Sequence, residues 1–210
     1  MTTKHPPESG WRGSADVWLN AAQELLLEAG IDAVKIQPLA KRLALSRTSF
    51  YWFFKDHDEL LAALVARWRQ KNTGNLIART RAYSDSLVEA VLNLNDLWFD
   101  QQLFDTKFEF AVRSWSLQSA SVLADVQAAD VARLDALRAM FVRFGVDPAM
   151  ADVRARTIYL VQIGYISMQT HEALAERMAR IPMYIEIFTG QKPTERELRR
   201  FYARHGRTEP

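Results

Sequence analysis

Apolar residues recur at intervals of three and four along nearly the whole chain, and no stretch alternates with a period of two, so the pattern predicts helices and no strand. The first helix is expected over about residues 14–29, with Val17, Leu19, Ala22, Leu25 and Leu26 on one face and Gly30 just past its end, where glycine accepts positive φ. A short second helix is expected over about residues 36–43, with Pro38 in its first turn, where a missing N–H does no harm. Ser46 is placed to cap a third helix, in which Phe50, Phe53 and Phe54 fall at i, i+3 and i+4, the spacing of a buried stripe. A fourth starts near Asp56 or Asp58 and carries Leu60, Leu61, Leu64 and Trp68 toward Asn72-Thr73-Gly74-Asn75, where a break or kink is expected.

The same periodicity continues to the C-terminus. Ser86 and Glu89 form a capping box for a helix ending near Asp100. Further helices are expected over about residues 103–115 and 122–144. Gly145-Val146-Asp147-Pro148 then stops one helix and starts another that reaches about His171. A last long helix, over about 174–188, contains Pro182, which should kink it, and Thr194 is placed to cap a short terminal one. The fold class is therefore all-α, with about nine or ten helices and no internal repeat.

Composition narrows the chemistry. The 210 residues are 49% hydrophobic and 25% charged, as in an ordinary globular protein. The absence of cysteine excludes disulfides, thiolate metal sites and cysteine nucleophiles, and the four histidines (His5, His57, His171, His205) form no metal-spaced pair. No metal, cofactor or catalytic residue is expected, and the chain does not read as an enzyme. Lys4 and His5 stand in an N-terminus without an apolar run, and no stretch approaches the length of a membrane span, so a cytoplasmic protein is expected.

A formal net charge of +2 says little about partners, but its distribution says more. Residues 33–55 hold Lys35, Lys41, Arg42, Arg47 and Lys55 with no acid, and end in Phe50-Tyr51-Trp52-Phe53-Phe54. Two short helices in such a stretch predict a helix-turn-helix whose second helix faces an anion, DNA phosphate fitting best. Arg47 and Thr48 lie at that helix's first turn, within reach of base edges or backbone, and Arg47 can bond guanine in bidentate fashion. Tyr51 and Trp52 lie off the Phe stripe. The Tyr51 hydroxyl can bond a phosphate oxygen and Lys55 can neutralise another.

These residues resemble the TetR (tetracycline-repressor-type) family of transcriptional regulators. The matching positions are Trp18-Leu19-Asn20-Ala21-Ala22, Leu25-Leu26, Gly30, Ile36, Leu39-Ala40, Leu45-Ser46, Phe50-Tyr51-Trp52-Phe53-Phe54-Lys55 and Asp58-Glu59-Leu60-Leu61. The chain departs from the pattern at Ala44, where most members have glycine, and at Val34-Lys35, where a Thr or Ser usually caps the second helix. The resemblance implies an N-terminal DNA-binding domain over 1–57 and a regulatory domain over 58–210 for ligand binding and dimerisation. It gives Ser46, Arg47, Thr48, Ser49, Tyr51, Trp52 and Lys55 as DNA-contacting candidates, with Gln37 and His57 beside them. It also implies a homodimer on a palindromic double-stranded operator, released by a small-molecule effector.

In the second half, Trp98, Phe108, Trp115, Gln118, Tyr159, Gln162 and Tyr165 combine aromatic bodies with polar tips and are the ligand-binding candidates. Arg113, inside an apolar run, calls for a carboxylate partner, and Asp125, Asp130 and Asp135 are within range on the next helix. Residues 149–188 are more apolar than one face requires. Ile158, Val161, Ile163, Tyr165, Ile166 and Met168 carry the excess in the first of their helices, and Leu174, Met178, Ile181, Met183, Ile185, Ile187 and Phe188 in the second, as at a homodimer interface. Two other readings stay open: a helical adaptor that uses these helices on a different protein, and an all-helical enzyme. The second lacks paired histidines and a Gly-rich phosphate loop.

Overall fold

The computed structural model describes residues 13–207, so the N-terminal segment with Lys4 and His5 lies outside the described residues. Within them the structure is helical throughout: α1 (Ala15–Ala29), α2 (Ile36–Leu43), α3 (Arg47–Phe50), α4 (His57–Trp68), α5 (Asn75–Arg81), α6 (Leu87–Phe99), α7 (Thr106–Ser116), α8 (Ala120–Arg143), α9 (Pro148–Ser167), α10 (Leu174–Thr189) and α11 (Glu195–Arg204). A π-type turn, Arg69–Gly74, joins α4 to α5 without a break in the chain's helical course. The bend expected at Asn72-Thr73-Gly74-Asn75 is thus a widened turn.

The chain forms two compact units, Met1–Arg67 and Trp68–Pro210. The division lies inside α4, ten residues beyond the expected boundary at 57/58. Arg67 falls in the first unit, where its guanidinium binds Asn20 at 2.6 Å and Asp16 at 2.9 Å on α1.

In the first unit, Ser14 caps α1 by accepting from the Val17 N–H, and Gly30 ends it at φ 78°. The buried face is Trp18, Ala21, Ala22 and Leu26; Leu19 and Leu25 are only half-buried. Trp18 meets Phe50 edge-on at 5.3 Å, and Phe50 stacks on Phe54 at 5.4 Å. Phe50 and Phe54 are buried and Phe53 half-buried, so the expected Phe stripe is two-thirds core.

Both departures from the family pattern leave a local mark. Lys35 stands at the N-cap of α2 with no side-chain hydrogen bond. Ala44 ends α2 in the left-handed region at φ 52°, ψ 36°, where a Cβ crowds the following carbonyl. Ala44→Gly is therefore expected to stabilise the first unit by about 0.5–1 kcal/mol. A urea midpoint no higher than that of the wild type would show the turn to be unstrained.

The second unit is built round α6, which is buried along most of its length, together with inner faces of α8, α9, α10 and α11. Its caps are regular: Ser86 accepts from Glu89 N, Asp105 from Phe108 N, Ser119 from Val122 N, and Thr194 with Glu197 makes a full capping box. Two boundaries differ most from expectation. The chain turns once more through Leu103 and Phe104, so α7 starts at Thr106, where Asp105 can cap it. The helix expected to reach His171 ends at Ser167, before Gln169 turns to φ 49°. Pro182 lies inside α10, which continues through it.

Candidate nucleic-acid interface

In α3 the cap orders the turn on which the recognition candidates stand. Ser46 Oγ accepts from Ser49 N at 3.2 Å, and Ser49 Oγ donates to the Ser46 carbonyl at 2.6 Å. Arg47 and Thr48 then face outward, both exposed. Tyr51 and Trp52 follow on the same short segment, 54% and 66% exposed, over the buried Phe50 and Phe54. Aromatics of that size are seldom left outside without a use. Lys35, Gln37, Lys41 and Lys55 are exposed as well.

Three members of the basic or polar set have structural work instead. Arg42 reaches back to α1, binding Glu28 at 2.5 and 2.8 Å and Glu24 at 3.5 Å. The bond between them raises the Arg42 pKa and lowers that of Glu28. His57, at the start of α4, lies 2.6 Å through Nε2 from the Val34 carbonyl and ties α4 to the loop before α2. Ser49 is buried with its hydroxyl committed to Ser46, so its side chain is withdrawn from the outer surface. The exposed set is Lys35, Gln37, Lys41, Ser46, Arg47, Thr48, Tyr51, Trp52 and Lys55. Lys55 is fixed through its backbone, whose N–H donates to Glu59 at 2.5 Å while Asp56 accepts from Glu59 N at 2.9 Å.

The seven ligand candidates of the second unit do not converge on one place. Trp98, Gln162 and Tyr165 share a cleft between α6, α9 and α10 with Asn95, Phe99, Ile181 and Tyr184, and with two arginines that the sequence did not single out, Arg177 and Arg180. The volume inside it is about 20 Å³, room for roughly one water molecule. Phe108 and Trp115 are buried on α7, and Gln118 is exposed beyond its end.

Tyr159 belongs to a buried polar network. Its centre is Glu109, which accepts from Arg133 at 2.7 and 3.1 Å, from Arg113 at 2.9 Å, from the Trp68 indole at 2.7 Å and from Asn72 at 2.9 Å. Arg133 also donates to Thr73 and Tyr159, and Arg113 to Asp130 and Tyr159. Burial works to raise the Glu109 pKa, but the Arg133 and Arg113 charges and the Asn72 bond outweigh it and hold it below the usual carboxylate value. Burial pushes the Tyr159 phenol up, so it stays protonated and donates to Asp130 at 2.5 Å. Of the three partners expected for Arg113, Asp130 is the one used; Asp125 pairs with Arg69 and Asp135 with Arg138. Glu109, on Arg113's own helix, was not foreseen.

Among the described residues no group of acids and histidines is arranged to hold a metal ion, and no helix is long and apolar enough to cross a membrane.

The sequence profile of the bacterial regulatory proteins of the tetR family matches residues 19–64, which span α1 to α4. No curated protein sequence matches the chain. Solved structures similar to it include a regulator assigned to the TetR family from Mesorhizobium loti, at 14% identity, TM-score 0.57, covering 90% of this chain and 95% of that one. The fatty acid degradation regulator FadR from Bacillus halodurans is similar at 14% identity and TM-score 0.60, covering 89% and 97%. SmeT, repressor of the Stenotrophomonas maltophilia multidrug efflux pump SmeDEF, is similar at 18% identity and TM-score 0.56, covering 91% and 90%. At these identities the likeness speaks for the fold, over almost the full length of both chains. The N-terminal helix-turn-helix thus matches the bacterial regulatory proteins of the tetR family, and the chain as a whole has the fold of such regulators.

Proposed function

We propose that the chain is a transcriptional repressor that binds a palindromic double-stranded DNA operator as a homodimer, in the cytoplasm, and is released by a small organic effector. The observation that carries the DNA-binding part is the exposed Arg47, Thr48, Tyr51, Trp52 and Lys55, set on a turn that Phe50 and Phe54 anchor from beneath. In this reading Arg47 and Thr48 enter the major groove, while Tyr51, Lys55, Lys41 and Lys35 contact phosphates on either side. Gln37 and Ser46 are further polar contacts, and Trp52 packs against the sugar-phosphate backbone. His57 and Ser49 position this surface rather than touch DNA. That SmeT is a repressor supports the sign of regulation.

Dimerisation is supported by the outer face of α9 and α10. Val153 and Leu160 on α9, and Met183 and Ile187 on α10, are each more than half exposed. They stand at helical spacings on two adjoining helices, the pattern of a face that a second copy covers. Two-fold symmetry in turn matches a palindromic site. Effector release is a shift in population: a ligand moves the DNA-competent fraction only by its differential affinity for the two states.

The DNA-reading assignment is tested by selecting bound sites from a random duplex library and measuring affinity by mobility shift. Arg47→Ala is expected to weaken the selected site by about 1–3 kcal/mol, roughly 5- to 150-fold. Tyr51→Phe is expected to weaken it by about 0.5–1.5 kcal/mol. Wild-type affinity in both variants would sink the assignment of α3.

A further inference from the structure

The cleft between α6, α9 and α10 contains a guanidinium that forms no salt bridge among the described residues. Arg177 is half-buried on α10, and no carboxylate among the described residues forms an ion pair with it. Its Nη2 donates only to the Trp98 carbonyl at 3.3 Å, and its guanidinium lies over the Phe99 ring at 4.7 Å. Glu172, whose charge reaches it, is held by Arg180 at 2.6 Å and does not itself line the cleft. Two guanidiniums against one carboxylate leave one unit of positive charge there. Burial already depresses the Arg177 pKa, as for a cation lacking its partner.

Trp98, another residue of the wall, carries an unpaired donor of its own. Trp98 is 5% exposed, and its indole N–H is buried without a hydrogen-bond partner. An orphaned buried donor is uncommon and calls for an acceptor. The remaining walls are Phe99, Ile181, Tyr165 and Tyr184, apolar or aromatic bodies with hydroxyls at their tips.

We propose that this cleft binds a compact organic monocarboxylate, its carboxylate on Arg177 and its apolar body against Phe99, Trp98 and Ile181. One net positive charge selects a monoanion over a neutral or dianionic ligand, since a buried charge stays uncompensated otherwise. The indole N–H of Trp98 supplies a second donor. In the structure the cleft is narrowed by a polar latch: Tyr165 and Tyr184 hydroxyls 2.9 Å apart, with Arg180 bonded to Tyr165 at 3.4 Å and to Glu172. Admission of a ligand requires that latch to part, which ties occupancy to the packing of α9 on α10. This rests on the reading of the second unit as an effector-binding one, and it adds the charge class of the effector and the residue that reads it.

The test is nuclear magnetic resonance on the full chain without DNA, following tryptophan indole N–H signals, with the Trp98 signal identified by its loss in Trp98→Phe. The probes are benzoate, phenylacetate and hexanoate, each against its neutral amide. At least one acid is expected to move the Trp98 signal at millimolar concentration, with its amide binding at least about tenfold more weakly. Arg177→Gln should remove the preference and Arg177→Lys should keep part of it. Equal binding of acids and amides overturns the charge class, and no movement of Trp98 with any probe overturns the site. Binding that depends on Arg177 but leaves operator affinity unchanged would overturn the effector reading while the site stands.

Discussion

Replacing Arg133 with methionine is expected to lower the stability of the second unit by about 3–5 kcal/mol. Arg133 and Glu109 are both fully buried, so removing the guanidinium strands most of the carboxylate's charge where water cannot reach it. It also strips partners from Thr73 and Tyr159. Arg113 still reaches Glu109, which keeps the loss from being larger. Urea unfolding measures it, and a midpoint within error of the wild type would show that the network is not holding the core. Adding Glu109→Leu to Arg133→Met should recover part of the loss, giving a coupling of roughly 0.5–3 kcal/mol in a double-mutant cycle.

The same centre sets an acid limit. The folded Glu109 pKa lies below its ordinary value, so the carboxylate contributes stability that is present above the unfolded pKa, about 4.3, and is lost as pH falls through the folded value. In Arg133→Met the strongest opposing charge is gone and burial acts with less resistance. Acid unfolding of the variant should therefore begin at higher pH than that of the wild type. An unchanged acid limb would mean that Glu109 is not the group that titrates.

Placing a carboxylate at Leu160 or Ile187 is expected to break the homodimer. Both side chains are among the most exposed apolar groups of α9 and α10, 61% and 66%. An unpaired charge buried between two copies costs several kcal/mol, enough to weaken association at least about 100-fold. Sedimentation at micromolar concentration should show a dimer for the wild type and a monomer for Leu160→Glu and Ile187→Glu. Operator affinity should fall with it, because a single head reads only half a palindrome. Variants that remain dimeric would place the interface elsewhere. A monomeric wild type would remove the homodimer and favour an adaptor that uses this face on another protein.

Much of the fold was legible because helix ends are written locally. Ser46, Ser86 and Thr194 each cap the helix that the pattern assigned to them, and Gly30 ends the first one. The acid-free stretch was legible as a charge pattern but not as a division of labour. Whether Arg42 or Arg47 faces outward depends on Glu24 and Glu28, a helix away. The apolar excess of residues 149–188 was real but misallocated. Ile158, Ile166, Met178, Ile181, Ile185 and Phe188 are buried within the chain, and the exposed stripe includes Val153 and Leu160, which the excess did not name. Two arginines went unseen although the sequence held a signal for each. Arg133 interrupts the stripe Val122, Val126, Ala129, Leu137, Met140 at the step where an apolar residue belongs. Arg177 has no acid at i±3 or i±4 to neutralise it. What no local pattern carries is convergence: Trp98, Gln162 and Arg177 meet only after α6, α9 and α10 have packed.

The π-type turn at Arg69–Gly74 amounts to one residue more than an α-helix would use, and that surplus sets how the gene can change. In a regular helix, at about 100° per residue, Trp68 and Thr73 would point about 140° apart, and only one could face the core. The wider turn lets Trp68, Asn72 and Thr73 all reach the Glu109–Arg133 centre. A single-codon deletion here, Gln70 for instance, would leave a helix of sound propensity and yet turn Asn72 and Thr73 off their partners. Substitution at the exposed Gln70 should pass almost unnoticed, whereas removal of the same residue should not. Length, rather than identity, is what this segment holds constant.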